Sequence, residues 1–305
     1  MDPTRRKALL SAAGLAALAA MKPSAAATPG GLIERSIPAT GERLPVIGVG
    51  TWQTFDVGGD KTARGALEEV LTVFAKSGGR VIDSSPMYGT SETVTGDLMT
   101  EAGLAGKLFV ATKVWTEGKN EGIRQMDVSF KRLRVSRMDL MQIHNLVDVD
   151  THTRTLEEWK AKQRVRYIGI THYTRSAYAE VERCLGTGKY DFMQINYSLA
   201  ERESENRLLP LALEKKAAVI INRPFAEGAM FGKVRGKPVP EWAAEFGANT
   251  WAQFFLKWII SHPAVTCVIP GTGKPEHMLD NLAAGTGVLP DAAMRRRMAQ
   301  HYDTL

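Results

Sequence analysis

The chain has 305 residues, of which 44% are hydrophobic and 24% charged, a composition typical of a globular protein that can bury a large core. Its 39 Lys and Arg residues exceed its 33 Asp and Glu residues by six, and dispersal of the basic residues among acidic ones argues against a nucleic-acid partner. Two cysteines, Cys184 and Cys267, are too few for a disulfide framework or a thiolate metal site.

Residues 1–27 are predicted to be a twin-arginine export signal, with the mature chain over 28–305. Arg5 and Arg6 precede an apolar, alanine-rich stretch over residues 8–21, and small residues follow where cleavage is expected. A bilayer-spanning helix needs roughly 20 apolar residues, so a stable membrane anchor is not predicted. The expected partner is the twin-arginine translocase. The expected location is the periplasm, or the cytoplasm if the signal is inefficient.

After this segment, eight short apolar strands alternate with amphipathic stretches. The predicted strands cover residues 45–52, 80–85, 108–114, 139–144, 165–171, 192–197, 218–224 and 266–271. Three of the predicted helices cover residues 61–78, 121–135 and 203–217. Continuous Val/Ile/Leu strands separated by helices indicate a parallel sheet covered by helices. Eight such units in about 260 residues favour one (β/α)₈ TIM barrel domain over an open doubly wound sheet.

Polar residues stand where consecutive strands end, which in this architecture is where catalytic groups lie. Asp83 ends the second strand, Lys113 the third and His144 the fourth, and Tyr88 is on the loop after Asp83. Taken singly, each has a structural explanation such as a helix cap, an exposed charge or a packing aromatic. Their joint placement on three consecutive strand ends favours a catalytic site.

Together these four residues suit the reduction of a carbonyl group. A carbonyl that accepts a hydride also needs a proton, and a tyrosine donates one more readily if its pKa falls from about 10. Lys113 is expected to lower the pKa of Tyr88, and Asp83 to hold the lysine. His144 is expected to donate a hydrogen bond to the carbonyl oxygen and stabilise its developing charge.

The sequence resembles the aldo-keto reductase family from about residue 37 to residue 285. The resemblance is carried by "GVGTW", "VIDSSPMYG", "VATKVW", "DLMQIHN", "VRYIGITHY", "MQINYS" and "VIPGTGKPEHMLDNLAA". The Asp, Tyr, Lys and His of the family's tetrad fall on Asp83, Tyr88, Lys113 and His144. The resemblance implies NADPH bound extended across the barrel mouth without a Rossmann fold, and reversible reduction of aldehydes and ketones to alcohols.

The resemblance also implies a nicotinamide site, with departures from the family pattern. Thr171 and His172 replace the family's common Ser-Asn pair, which holds the carboxamide, whereas Gln194 matches the family's glutamine. Asn222 stands where an aromatic residue often stacks on the nicotinamide, and Arg223 beside it is expected to contact the pyrophosphate.

The segment after the last strand also departs from the family pattern. Gly271 and His277 occupy two places where family members often hold the 2′-phosphate of NADPH with basic residues. Thr272 and Lys274 are expected to contact the cofactor, and Asn281 fits the family's adenine-contacting asparagine. NADP(H) is predicted over NAD(H), because Lys274 is a compact cation suited to phosphate.

The substrate is predicted to be a small neutral aldehyde or ketone, because the sequence has no cluster of arginines that would bind a carboxylate or phosphate on the substrate. Trp52 and Trp115, at the ends of the first and third strands, are the expected substrate-binding walls, with Phe55 and Phe231 as further apolar candidates.

Two other functions would fit parts of this pattern. A metal-dependent hydrolase would use Asp83, His144 and His172 as ligands, but such a site usually needs more histidines. A cofactor-binding redox sensor or partner subunit with little turnover would accommodate the altered nicotinamide contacts, but the intact tetrad argues against it. Free NADPH is not expected outside the cytoplasmic membrane, so an exported reductase must carry its cofactor with it, receive electrons from another source, or have an inefficient signal.

Overall fold

The computed structural model describes residues 31–305, so the predicted export signal lies outside the described residues. In chain order the strands are β1 (Glu34–Ser36), β2 (Arg43–Pro45), β3 (Val49–Gly50), β4 (Val81–Asp83), β5 (Phe109–Val114), β6 (Met138–His144), β7 (Val165–His172), β8 (Phe192–Asn196), β9 (Ala218–Asn222) and β10 (Val265–Val268). The α-helices are α1 (Lys61–Lys76), α2 (Ser91–Glu101), α3 (Lys119–Arg132), α4 (Val149–Ala161), α5 (Tyr178–Gly186), α6 (Leu208–Glu214), α7 (Ala229–Lys233), α8 (Trp251–Ile260), α9 (Pro275–Ala284) and α10 (Ala292–Thr304). Within this described part of the chain, no helix is both long and apolar enough to cross a bilayer.

Strands β3 to β10 form one parallel sheet in which each strand pairs with the next along the chain. The sheet closes on itself because the Gly48 N–H donates to the Val268 carbonyl (2.8 Å) and the Val268 N–H donates to the Val46 carbonyl (2.9 Å). At least one helix follows each of the eight strands. The predicted (β/α)₈ barrel is therefore confirmed.

The N-terminal end of the barrel is filled by the antiparallel β1–β2 hairpin, which the sequence analysis did not identify. Ile37 and Leu44 from this hairpin pack with Phe109 and Phe192, which begin β5 and β8. Both ring systems are buried, with centroids 5.9 Å apart. Because the hairpin and these rings occupy one end, a ligand can enter the barrel from the carboxyl ends of the strands.

Two of the three quoted helices agree with the structure to within a few residues, and the third is interrupted. Residues 203–217 divide into a 3₁₀ turn (Glu203–Asn206) and the short α6. Between them Arg207 has φ −145°, outside the helical region. Pro210 explains the break, because proline lacks an N–H and fits only the first turn of a helix.

Lys257 of α8 is a buried lysine that gives stability a dependence on pH. Its Nζ donates to the carbonyls of Thr286 (2.7 Å) and Val288 (3.1 Å), and it makes no ion pair within residues 31–305. Burial lowers the pKa of Lys257 from 10.5 to about 8. Between these values the unfolded chain binds the proton more tightly, so the contribution of Lys257 to stability rises with pH.

We therefore expect the free energy of unfolding of the wild type, minus that of Lys257→Met, to increase from about pH 7 to about pH 10. Urea unfolding at both pH values measures this difference. The subtraction removes the contribution of tyrosines that titrate in the same range. A constant or falling difference would show that Lys257 is protonated in the folded protein throughout this range.

Candidate active site

A cavity of about 580 Å³ opens at the carboxyl ends of the barrel strands. The residues predicted from the sequence that line it include Trp52, Asp83, Tyr88, Trp115, His144, Thr171, Gln194, Asn222 and Arg223. Lys113 lies beneath the floor, with its Nζ 5.1 Å from the centre of the Tyr88 ring. The structure thus brings the four predicted catalytic residues together.

The floor of the cavity is held by a buried ion pair. Lys113 Nζ lies 2.6 Å from Asp83 Oδ2 and donates to the Ser84 carbonyl at 2.7 Å. Asp83 Oδ1 accepts from Gln194 Nε2 (2.9 Å) and Gln142 Nε2 (3.1 Å). These hydrogen bonds offset the cost of removing both charges from water. Burial by itself lowers the pKa of Lys113. Asp83, and after it Tyr88, raise this pKa by more than burial lowers it, so the net direction is upward and the lysine stays charged.

Tyr88 is placed by a tight turn between β4 and α2. Its N–H donates to the Ser85 carbonyl (3.1 Å), and its own carbonyl accepts from Ser91 at the start of α2 (3.0 Å). Burial raises the pKa of Tyr88, and this effect outweighs the lowering by Lys113, whose charge Asp83 partly cancels. The net direction is opposite to the one expected from the sequence. The phenol therefore holds its proton at neutral pH and is available as a proton donor.

His144 stands beside Tyr88 as a neutral ring. The two ring centroids are 6.0 Å apart and the ring planes nearly perpendicular, at 86°. Burial lowers the pKa of His144 to about 2, assisted by the charges of Lys113 and His172. His144 Nδ1 lies 3.1 Å from the hydroxyl of Ser85, a residue that the sequence analysis did not select. A neutral imidazole donates from one nitrogen only, so His144 can act on a substrate oxygen as a hydrogen-bond donor but not as a cation.

Polar groups at the ends of β7, β8 and β9 fit a carboxamide. Thr171 Oγ1 donates to Gln194 Oε1 at 3.1 Å and keeps its capacity to accept a hydrogen bond. Asn222 lines the cavity, and its buried Oδ1 has no hydrogen-bond partner within residues 31–305. Because an amide without partners is costly to bury, this set fits a ligand that supplies both donors and acceptors, as the carboxamide of nicotinamide does.

His172 does not join this set. Its Nδ1 accepts from the N–H groups of Tyr173 (3.0 Å) and Thr174 (3.2 Å), and its ring stacks on Tyr173. These contacts hold the imidazole against the backbone of its own loop. Tyr173 rather than His172 lines the cavity. Asn145, the residue after His144, also lines the cavity and was not predicted.

Arg223 joins two loops at the cavity. Its guanidinium donates to the Tyr173 carbonyl (3.3 Å) and pairs with Glu227 at 3.3 Å. Its φ of 48° places the backbone in the left-handed region, which is uncommon for arginine. The contact with a pyrophosphate remains a prediction for this residue.

Of the predicted residues after β10, Gly271 lines the main cavity, whereas Thr272, Lys274, His277 and Asn281 lie beyond it. Thr272 is buried and its Oγ1 accepts from the Lys274 N–H at 3.1 Å, whereas Lys274 and His277 are exposed around the start of α9. Asn281 is buried further along the same helix. Gly271 does line the cavity, and a Cβ there would stand 3.0 Å from the Gly50 carbonyl. The close approach of these two strand ends favours glycine at 271.

Apolar side chains form the walls, although not all of those expected. Trp52 and Trp115 line the cavity and are 42% and 41% exposed, and Phe231 lines it as well. Phe55 is fully buried in the core between the barrel and its helices, so its expected position at the wall is wrong. Its N–H donates to the Thr51 carbonyl in a tight turn (3.0 Å), which directs it away from the pocket.

The ligand set of a metal-dependent hydrolase does not assemble here. Across residues 31–305, no group of three or more His, Cys, Asp or Glu residues is arranged to hold a metal ion. Asp83 is already engaged by Lys113 and two amides, and His172 is turned into its loop. The arrangement therefore favours proton donation over metal binding.

Comparison with known proteins agrees with the resemblance of the sequence to aldo-keto reductases. The sequence profile described as Aldo/keto reductase family matches residues 46–301. The chain is 28% identical over 248 residues to methylglyoxal reductase YeaE of Escherichia coli K12, covering 79% of this chain and 85% of that protein. It is 23% identical over 318 residues to the NADH-specific methylglyoxal reductase of the same organism, covering 84% and 95%.

Among solved structures, the aldo-keto reductase from Klebsiella pneumoniae in complex with NADPH has a similar fold. The TM-score is 0.72 and the identity 24%, over 89% of this chain and 96% of that one. The profile match, which spans most of the chain, and the assembled Asp83, Tyr88, Lys113 and His144 agree. The chain belongs to the aldo/keto reductase family.

Proposed function

We propose that this protein reduces small neutral aldehydes and ketones to alcohols, with NADPH as its preferred cofactor. The reaction class, carbonyl reduction dependent on NAD(P)H, follows from the family and the tetrad. The observation that carries it is the pairing of a protonated Tyr88 with a neutral His144 at the cavity floor, above the Lys113–Asp83 ion pair. A sensor with little turnover would not need this arrangement, so it is not favoured.

Each residue of the floor has a distinct part in the reaction. His144 donates a hydrogen bond to the substrate oxygen and orients it, and Tyr88 transfers its phenolic proton to that oxygen. The ammonium of Lys113 stabilises the phenolate left behind, and Asp83 holds the lysine in place. When bound, the nicotinamide cofactor supplies the hydride that goes to the carbonyl carbon. Thr171, Gln194 and Asn222 are the residues that would hold its carboxamide.

The walls support a neutral substrate. Trp52, Trp115 and Phe231 present apolar surface, and the charge of Arg223 in the cavity lining is balanced by Glu227 rather than joined by further cations. Two relatives are named as methylglyoxal reductases, enzymes for a small uncharged dicarbonyl, which agrees with this substrate class.

The preference for NADPH depends on residues around the start of α9. One relative is NADH-specific and one structural neighbour holds NADPH, so both cofactors occur among similar proteins. Lys274 is exposed and makes no ion pair within the described chain, which leaves its ammonium free for a phosphate. Glu276 nearby is also exposed and opposes this effect, so we expect a moderate preference rather than exclusion of NADH.

Lys274→Ala should weaken NADPH binding about 10-fold, the loss expected of one charge-assisted hydrogen bond, and leave NADH binding within about 2-fold. Quenching of tryptophan fluorescence on titration with each cofactor measures both dissociation constants. The NADH titration is the internal control for folding. Equal weakening of both cofactors would assign Lys274 to the shared part of the cofactor and contradict a role in recognising the 2′-phosphate.

A further inference from the structure

Ser85 is a buried serine directly behind the catalytic histidine. It lies two residues after Asp83, in the turn that leads to Tyr88, and its side chain is inaccessible to solvent. Its Oγ lies 3.1 Å from His144 Nδ1, and His144 is itself almost fully buried. Ser85 does not line the cavity, so any effect on the reaction must act through His144.

We infer that the Ser85 hydroxyl donates its hydrogen to His144 Nδ1 and thereby fixes the ring in the tautomer that carries its proton on Nε2. Ser85 is then a positioning residue that makes His144 a hydrogen-bond donor toward the substrate oxygen. This inference rests on the proposed function, because the consequence of the tautomer is felt in carbonyl reduction.

The direction of the hydrogen bond follows from the hydroxyl's surroundings. Within residues 31–305, His144 Nδ1 is the one hydrogen-bond partner of Ser85 Oγ. A buried hydroxyl normally donates its hydrogen to an acceptor. If Nδ1 carried the proton and donated it, the serine hydrogen would be buried without an acceptor. The arrangement that satisfies both groups places a lone pair on Nδ1 and the proton on Nε2.

Carbonyl reduction needs this same direction of the hydrogen bond between Ser85 and His144. His144 lines the cavity and its Nδ1 faces Ser85, which leaves Nε2 as the ring nitrogen without a protein partner in the described chain. A protonated Nε2 attracts the carbonyl oxygen, whereas the opposite tautomer presents a lone pair that repels it. The depressed pKa of His144, caused by burial and then by Lys113, means that a second ring proton is absent at neutral pH. The tautomer therefore decides whether His144 can donate.

The inference is tested by comparing Ser85→Ala with Ser85→Thr, which restores a hydroxyl. Protein with nitrogen-15 in its histidine rings reports the tautomer directly, because bare and protonated ring nitrogens have different chemical shifts, and His144→Gln identifies the signals by difference. Steady-state reduction of a neutral aldehyde gives kcat and KM for the same variants. Thr153→Val is the matched control, since it removes a buried hydroxyl that bonds Tyr190 at 2.7 Å, away from the cavity.

In the wild type we expect a single tautomer with its proton on Nε2, and in Ser85→Ala a mixture of both. We expect kcat of Ser85→Ala to fall about 10- to 100-fold with KM changed less than about 3-fold, because the donor acts mainly on the charge that develops in the transition state. Ser85→Thr should regain most of both properties, and Thr153→Val should alter neither.

Two results would overturn the inference: an unchanged tautomer in Ser85→Ala, or a kcat loss that Thr153→Val reproduces through lower stability alone. Failure of the proposed function would look different. If the wild type reduced no carbonyl substrate, the proposed function would be wrong. The nitrogen-15 shifts would still show whether Ser85 sets the tautomer of His144.

Discussion

The Tyr88→Phe protein is expected to lose reductase activity by at least about 100-fold while binding cofactor as the wild type does. Phenylalanine keeps the ring that packs edge-on against His144 and removes only the hydroxyl, so the cavity retains its shape. Because burial raises the pKa of Tyr88, the wild-type phenol is protonated at neutral pH and its loss removes the proton source itself. The measurements are kcat with a neutral aldehyde and cofactor affinity by fluorescence titration.

Tyr190→Phe is the control for removal of a buried phenolic hydroxyl. Its hydroxyl bonds Thr153 on α4, outside the cavity, so we expect wild-type turnover from this variant. A Tyr88→Phe protein that kept more than about a tenth of its activity would assign the proton to another donor and remove the main argument for the site.

Lys113→Met should produce the second large effect, on stability as well as activity. The substitution leaves the buried Asp83 carboxylate without its cation, although Gln142 and Gln194 still donate to it. Removing one partner of a buried ion pair typically costs about 3–5 kcal/mol in the free energy of unfolding. Activity should also fall at least about 100-fold, because no charge remains to stabilise the Tyr88 phenolate.

The double variant Asp83→Asn with Lys113→Met separates the two effects. It removes both charges, so we expect it to recover part of the stability and none of the activity. Urea unfolding and kcat, measured on the same preparations, give both quantities. If Lys113→Met were as stable as the wild type, the ion pair would not be buried as described.

The barrel could be predicted from the sequence because each strand is short, apolar and bounded by helices of clear period. The β1–β2 hairpin escaped prediction because its three-residue strands are too short to show alternation. The interruption at Arg207 could have been predicted from Pro210, since proline fits the first turn of a helix and so fixes the start of α6 close by. Apolar residues recur at helical spacing across residues 203–217, and this pattern predicts one continuous helix instead.

The tetrad could be predicted because the carboxyl ends of neighbouring parallel strands meet at one end of the barrel. Gln142 was also within reach of this reasoning, because it lies two residues before His144 and so shares its face of β6. Ser85 and the orientation of His172 were not, since both depend on turn geometry rather than on strand alternation. The direction of the Tyr88 pKa shift required knowledge of its burial, which no spacing reveals.

The most direct test of the central claim is multiple-turnover oxidation of NADPH by the purified wild-type protein with a neutral aromatic aldehyde, followed by the absorbance of the reduced cofactor. We predict continuous oxidation over many turnovers that requires the aldehyde, yields the alcohol in equal amount and is absent with Tyr88→Phe. Tight binding of NADPH with no turnover beyond the first equivalent would contradict the account and favour a protein that senses its cofactor.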